Sequence, residues 1–387
     1  MSRVSAVLAT LICACGPAGD SPAPTTVTDS AGVSIVEHPA PATWRADFGI
    51  TEVARIGSVD GRPEALFSSI VGGTILDDGT LVLVDAESRE VRQFGADGTF
   101  IRAHGGEGEG PGEYEFIIGT GQCAQSGFTV FDIGWTMSLY DATGDFVTER
   151  MTRLEEGGSP YFMACDRSGR IAAMAWDRSG DGGPQPGFHV ARSRLRVLAP
   201  DGTQLLDLGQ RVGSERWGSR SGTGPHPAGR STKFGFQGPD LIVSDGSFFG
   251  YERWTEAGRL AEIVRMRVLP PDGDSLMAVY LDSTLARAPD EEVRRRWRSR
   301  IAEMEGPAQA SFFSDLFVTD ERILLRELSV GRSGRWFEFT RDGTPVGYLP
   351  LPGGARLLDV RDDMILVEEL GTLDVASGVL YARNEER

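Results

Sequence analysis

Apolar and polar residues alternate along this chain in short segments separated by glycine-containing turns, and one unit of four such segments recurs. The clearest copy has an Asp-Gly turn after its first and third segments and consists of Ile70–Leu76, Thr80–Asp85, Arg89–Gly95 and Thr99–His104. Alternation over four to eight residues between turn residues predicts β-strands. One sheet of four short strands cannot bury both of its faces, so this repeat predicts a solenoid or a propeller.

Further copies of the unit begin at Phe116, Tyr161, Lys233 and Ser311, and a sixth copy of only three segments begins at Arg356. The segment Thr51–Gly57 stands where a fourth strand would stand, because the residues after it echo those that follow the first copy. We therefore expect an all-β fold, a six-bladed β-propeller of four-stranded antiparallel blades over residues 34–387, with five or seven blades as alternatives. The N-terminal strand should close the last blade and remove an open sheet edge.

The repeats carry a resemblance to the six-bladed propellers of the NHL-like or TolB-like kind found in exported bacterial lipoproteins. It rests on Leu81–Asp85, on Val91–Phe94 with the Asp97-Gly98 turn, and on Gly108–Tyr114 (GEGPGEY). The resemblance implies the fold but not the function, since propellers of this kind include binding modules, lactonases and lyases.

The N-terminus is typical of an export signal over residues 1–14, with Arg3 followed by an apolar run too short to span a bilayer. Ile12-Cys13-Ala14-Cys15 resembles a bacterial lipobox, which implies cleavage before Cys15 and lipidation of that residue; an ordinary secretory signal is the alternative. Residues 15–33 are rich in Pro, Ser, Thr and Gly and predict a flexible tether. We expect an outer-membrane lipoprotein that faces the periplasm or the cell surface.

Long connections fall only between second and third strands and between blades, which places all of them on one side of the predicted propeller. We call this side the long-loop face and the opposite side, with the short turns, the tight-turn face. Insertions confined to one face usually form the binding surface, although neutral drift would give the same pattern. The candidate binding loop lies within residues 209–232 and offers Arg211, Arg216, Trp217, Arg220 and His226, because Arg and Trp are typical binding anchors. A non-functional insertion is the alternative.

A helical hairpin is expected at about residues 274–306. Asp274 is positioned to cap the first helix, and Pro289 with three following acids begins the second. In the second helix Val293, Trp297 and Ile301 form one apolar stripe. The stripe predicts packing on the propeller; a lid over the channel is the alternative.

The net charge and the reactive side chains restrict the candidate functions further. The net charge of −17 argues against nucleic acid and anionic lipid surfaces as partners, so membrane contact is expected only through the lipid anchor. The four histidines are scattered, and we find no nucleophile motif, so no catalytic residue, metal site or cofactor is predicted. Asp85, Asp132 and Asp245 end second strands at matching positions, which favours turn capping.

Cys123 and Cys165 fall near the ends of first strands in neighbouring blades and form a candidate disulfide, with unlinked buried thiols as the alternative. Together these features favour a monomeric binding module for an unknown protein or small-molecule ligand. A lactonase-like hydrolase or lyase with its site at the channel mouth is the alternative.

Overall fold

The computed structural model describes residues 24–40, 48–57, 61–121, 127–132, 136–151, 160–176, 186–219, 222–331, 334–371 and 375–385. These residues form an all-β protein with multiple four-stranded antiparallel sheets and one pair of helices. Three strands precede the first sheet: β1 (Thr26–Ser30), β2 (Val33–Pro39) and β3 (Phe48–Ile56). A single 3-10 turn, Pro63–Ala65, follows them.

The first three sheets follow one another along the chain. The first sheet contains β4 (Ile70–Ile75), β5 (Leu81–Asp85), β6 (Glu90–Phe94) and β7 (Phe100–Gly105). The second contains β8 (Ile117–Gly121), β9 (Phe128–Asp132), β10 (Thr136–Tyr140) and β11 (Phe146–Met151). The third contains β12 (Pro160–Cys165), β13 (Ile171–Trp176), β14 (Gly187–Leu198), β15 (Gln204–Ser219) and β16 (Gly222–Pro225).

The remaining sheets also incorporate the early strands. The fourth contains β17 (Lys233–Gln237), β18 (Asp240–Ser244), β19 (Gly250–Trp254) and β20 (Leu260–Arg267), and its outer edge is extended by β2 and then β1. After it come α1 (Gly273–Ala286) and α2 (Glu291–Ala302). The fifth sheet contains β21 (Phe313–Val318), β22 (Arg322–Glu327), β23 (Trp336–Thr340) and β24 (Pro345–Leu349). The sixth contains β25 (Arg356–Arg361), β26 (Met364–Leu370) and β27 (Ala376–Glu385), with β3 as its fourth strand.

The second strand of a sheet is an unbroken apolar run because neighbouring sheets cover both of its faces. Every residue of β5 and of β9 is buried. Six apolar clusters fill the spaces between sheets, and in each cluster the members come from two sheets that follow one another, or from the sixth and the first. Each sheet therefore packs against two others, which explains how a four-stranded sheet buries both faces.

The predicted pairing between the two ends of the folded chain is confirmed. β3 pairs with β27 in antiparallel register from Phe48 opposite Glu385 to Ile56 opposite Gly378. The sixth sheet also contacts the first through Asp359, whose Oδ2 accepts hydrogen bonds from Thr74 Oγ1 and from the Ile75 amide, both at 2.8 Å. These contacts join the beginning and the end of the chain.

Two segments that the sequence predicted to lack regular structure contain strands. The tether does not extend to residue 33, since β1 and β2 form a hairpin and β2 pairs with β20 in parallel. Residues 209–232 are not simply a loop, because β14 and β15 pair, with three register shifts, from Leu198 opposite Gln204 out to Gly187 opposite Gly218. Backbone pairing thus continues through stretches whose Gly and Ser content predicted irregular structure.

The helical hairpin is confirmed, but the residue that caps its first helix is Asp272 and not Asp274. The Asp272 carboxylate accepts from the Asp274 amide, and Asp290 caps α2 by accepting from the Val293 amide at 2.8 Å. The expected turn-capping role of the repeated aspartates is also confirmed: Asp85 accepts from the amides of Ser68, Ser69 and Glu87, Asp132 from those of Glu115 and Phe116, and Asp245 from that of Ser247.

Candidate binding cavity

A cavity of about 1870 Å³ lies between the first strands of the sheets. Its lining comes from the later part of these strands and from the short turns after them, so the cavity lies at the tight-turn face. Two of the first strands approach each other closely where one of them has a glycine. At Gly235 an added Cβ would lie 2.8 Å from Val318 Cβ, so β17 can approach β21 this closely only without a side chain.

The lining contains eleven acidic residues and six arginines. Each of the six arginines makes an ion pair with a carboxylate; the pairs are Arg167–Asp320, Arg170–Asp166, Arg253–Glu262, Arg322–Glu338, Arg341–Glu321 and Arg361–Asp77. The positive charge in the cavity is therefore already compensated by protein groups, and negative charge is in excess. An anionic ligand would have to displace these pairs, whereas a cation would meet acids directly.

Two acids stand within first strands rather than at the turns. Asp315 of β21 has a side chain that is 44 % exposed and lies 3.8 Å from Nζ of Lys233, the single lysine of the sequence. Asp359 of β25 is buried, and this burial raises the pKa of its carboxyl even though three hydrogen-bond donors reach it. Asp315 is thus the more accessible of these two acids, while Asp359 joins two sheets.

An ion pair crosses the tight-turn face between sheets that are not neighbours. Arg167 follows β12 in the third sheet, and its Nε lies 2.9 Å from Oδ2 of Asp320, which follows β21 in the fifth sheet. The same carboxylate accepts from the Gly238 amide of the fourth sheet at 3.1 Å. Asp320 therefore holds three turns together at the edge of the cavity.

The residues of the expected binding loop lie instead on or beside an extended hairpin formed by β14, β15 and β16, and its two described arginines pack on aromatic rings of other strands. Arg211 lies over the Trp254 ring at 4.8 Å, and Arg216 lies over the Trp176 ring at 5.5 Å. Trp217 and His226 are buried. Arg220 lies outside the described residues. None of the described members lines the cavity, so their role in binding stays a prediction.

The hairpin is fixed to the next sheet through a buried carboxylate. Glu215 accepts from the Arg230 amide at 2.8 Å and from Arg230 Nε at 2.9 Å. His226 Nδ1 accepts from the Ala228 amide at 3.1 Å. Burial lowers the pKa of His226, and the nearby Glu215 charge opposes that shift only in part. His226 therefore stays neutral at pH 7 and acts as part of the packing.

The cysteines are placed only in part. Cys165 is disulfide-bonded and lines the cavity. Cys15 and Cys123 lie outside the described residues, so lipidation and the Cys123–Cys165 pairing stay predictions.

The acids of the cavity were not predicted from the sequence. A signal was present, because an aspartate interrupts an apolar first strand in Phe313–Val318 and again in Arg356–Arg361. Within the described ranges no group of three or more His, Cys, Asp or Glu side chains is arranged to hold a metal ion. In the same part of the chain, neither helix is long and apolar enough to cross a membrane.

Comparison with known proteins supports the fold. No family model matches the sequence, and no curated protein matches it. The structure is similar to that of a protein from Bacteroides fragilis assigned as exported, with a TM-score of 0.51 at 11 % identity, over 91 % of this chain and 100 % of that one.

Two further structures are more distant. Regucalcin, a calcium-binding protein from Agrobacterium tumefaciens, gives a TM-score of 0.42 at 13 % identity over 86 % of this chain and 96 % of that one. Virginiamycin B lyase from Staphylococcus aureus gives 0.40 at 9 % identity over 87 % and 99 %. All three are propeller-type folds. At these identities the likeness shows the fold alone.

Proposed function

We propose that the chain is an exported, lipid-anchored six-bladed propeller that serves as a binding module of the bacterial cell envelope and takes a cationic ligand in its central cavity. The six sheets, their successive packing and the β3–β27 pairing support six blades. The likeness to a protein assigned as exported agrees with this fold.

The excess of acids over arginines in the cavity lining is the observation that carries the ligand class. With all six arginines already paired to carboxylates, a positively charged ligand gains favourable interactions and an anion does not. Asp315 provides a partly exposed carboxylate on a strand, where a cationic ligand would compete with Lys233, whose Nζ lies 3.8 Å away. None of the four histidines, all of which are described, lines the cavity, so we propose binding rather than hydrolase or lyase chemistry.

A thermal-shift experiment with charged small molecules tests this proposal. Spermidine should raise the melting temperature of the purified protein, and citrate at equal ionic strength should not. Asp315→Asn should weaken the spermidine effect. Asp282→Asn is the matched control, because Asp282 is an exposed acid on α1 away from the cavity. Stabilisation by citrate alone, or an equal loss in both variants, would contradict a cationic ligand.

The lipid anchor is a separate part of the proposal. Acylation of Cys15 would attach the chain to the outer membrane, and several acyl chains give stable attachment where one does not. Mass spectrometry of the N-terminal peptide from the membrane fraction should show acyl groups on Cys15, and Cys15→Ser should remove the protein from that fraction. An unmodified N-terminal peptide in the membrane fraction would refute this part alone.

A further inference from the structure

The first strands of neighbouring sheets run in the same direction along the cavity. Between β25 and β4, Arg356 at the start of one strand donates to the Val71 carbonyl at 3.4 Å, and farther along Asp359 accepts from Thr74 Oγ1 at 2.8 Å. Contacts between other first strands follow the same order, with Lys233–Asp315 near the starts of β17 and β21, Gly238–Asp320 at the turns that follow them, and Arg170–Pro239 at the turns after β12 and β17. Corresponding residues of these strands therefore lie at the same depth in the cavity.

The cavity lining changes from apolar to acidic along these strands. Residues 163–165 of β12 precede Asp166, residues 234–236 of β17 precede Asp240, and residues 316–318 of β21 precede Asp320 and Glu321. We call the three ranges the apolar layer and the acids at the turns the acidic layer. Because the strands run in one direction toward the tight turns, the acidic layer lies at the tight-turn face and the apolar layer lies beneath it.

The apolar layer has surface that a ligand can cover. Met163, Phe317 and Val318 line the cavity and are only half-buried, although they are apolar. Beside them on β8, a Cβ added to the cavity-lining Gly121 would have Phe131 Cε2, at 3.8 Å, as its nearest contact, so space remains there. Exposed apolar surface in a cavity is unfavourable in water and favourable against an apolar ligand group.

Charges bound the apolar layer on both sides, but only one side has an excess. On the inner side Lys233 and Asp315 neutralise each other. On the outer side the acidic layer contains the remaining acids of the lining, which are the eleven acids less Asp315 and Asp359, against six arginines. The layer between them is about three residues deep, or about 10 Å along a strand. A positive charge is therefore favoured at the mouth and an apolar group beneath it.

We propose that the ligand of this cavity is an amphiphilic cation, whose ammonium group lies in the acidic layer and whose apolar body lies in the apolar layer. This inference rests on the proposed cationic ligand and adds an apolar body to it. A polyamine, charged along its whole length, would place ammonium groups against apolar side chains at a large desolvation cost. An amphiphilic anion would bring its charge to the excess of acids at the mouth.

Isothermal titration calorimetry of the parent protein with four probes at equal ionic strength tests the ligand class. Octylamine should bind at least about tenfold more tightly than butylamine, because each buried methylene lowers Kd about fourfold. Octanoate, which has a similar chain and the opposite charge, should not bind. Octylamine, with one charge, should also bind more tightly than spermidine, with three, whereas a site that recognises charge alone gives the reverse order.

Two pairs of variants locate the two ends of the ligand. Met163→Gln should raise the Kd of octylamine at least about threefold and that of butylamine less, because the shorter chain does not extend as far from the turns. Met304→Gln, at a half-buried methionine after α2, is its control.

Combined Asp362→Asn and Asp363→Asn, in the turn after β25, should raise the Kd of both amines about two- to fivefold. Combined Asp274→Asn and Asp282→Asn, at exposed acids of α1, removes the same charge elsewhere and should have no effect. Urea midpoints equal to the parent's confirm that the variants fold, and the probe series on the parent needs no variant.

The outcomes separate this inference from the proposed cationic ligand. Spermidine that binds more tightly than octylamine, with equal Kd values for butylamine and octylamine, refutes the apolar body and leaves the cationic ligand standing. Octanoate that binds as tightly as octylamine, or the absence of binding by every amine, refutes both. Equal effects of Met163→Gln and Met304→Gln on octylamine binding would show that the apolar chain does not lie in the apolar layer and would overturn the inference.

Discussion

Replacement of Asp359 by alanine should destabilise the junction between the first and the sixth sheet. The carboxylate accepts three hydrogen bonds, from Thr74 Oγ1, the Ile75 amide and the Val360 amide, each at 2.8 Å, and the first two donors belong to the other sheet. A hydrogen bond to a charged group contributes about 1.5–3 kcal/mol. Burial of the carboxylate, which raises its pKa, offsets part of this. We expect Asp359→Ala to lower the free energy of unfolding by about 3 kcal/mol.

Urea unfolding followed by tryptophan fluorescence measures this change. Asp97→Ala is the matched control, because Asp97 also accepts from backbone, at 2.9 Å from the Thr99 amide, but on an exposed turn. The free energy of unfolding of this control should fall by no more than about 1 kcal/mol. If Asp359→Ala lowers the free energy of unfolding no more than Asp97→Ala does, the Asp359 carboxylate does not hold the two ends of the chain together and our account of this junction is wrong.

The pH dependence gives an independent check with a defined sign. Because the folded-state pKa of Asp359 is raised, the folded protein binds this proton more tightly than the unfolded chain. Its contribution to stability is fully present below the unfolded pKa, about 3.9, and is lost as the pH rises through the folded pKa. The stability advantage of the parent over Asp359→Asn should therefore decrease with rising pH. An advantage that grows with pH would contradict a raised pKa.

Two other predictions concern the stability of the body. Burial lowers the pKa of His38, His104 and His226, so the unfolded chain binds more protons than the folded protein does. The free energy of unfolding should therefore fall as the pH drops below about 6.5. Urea midpoints that are equal at neutral and mildly acidic pH would contradict this. Phe339 is a fully buried ring in the cluster between the fourth and fifth sheets. Phe339→Ala should lower the free energy of unfolding, measured by calorimetry, by about 3–5 kcal/mol. The partly exposed control Phe146→Ala should lower it by less than about 1 kcal/mol.

Local patterns predicted most strands because each repeat places apolar runs between glycine turns whose backbone requires them. Gly79 and Gly98, for example, both have positive φ angles in the turns where the sequence placed them. The junction of the chain ends was also predictable, since Thr51–Gly57 echoes other fourth strands. Strand length was not predictable in β14 and β15, because hydrogen bonding between backbones does not depend on apolar side chains.

The position of the cavity was not predicted because insertions drew attention to the long-loop face. Sequence spacing shows which connections are long, but it does not show that Arg211 packs on Trp254 or that Trp217 is buried. It also does not show that six arginines of the cavity are already paired, since five of the six ion pairs join residues from different turns or strands. Only the packed structure reveals the remaining excess of acid.

Antiparallel topology separates the helical hairpin from the cavity and gives a last prediction. Tight turns and blade-to-blade connections lie at opposite ends of the strands, so the helical hairpin after β20 cannot lie over a cavity lined by the turns after the first strands. The hairpin is therefore not a lid for that cavity. Replacement of residues 273–302 by a short Gly-Ser linker should leave the effect of spermidine on the melting temperature unchanged. A weakened spermidine effect in a variant that keeps the parent's urea midpoint would mean that the hairpin reaches the ligand and forms part of the binding site.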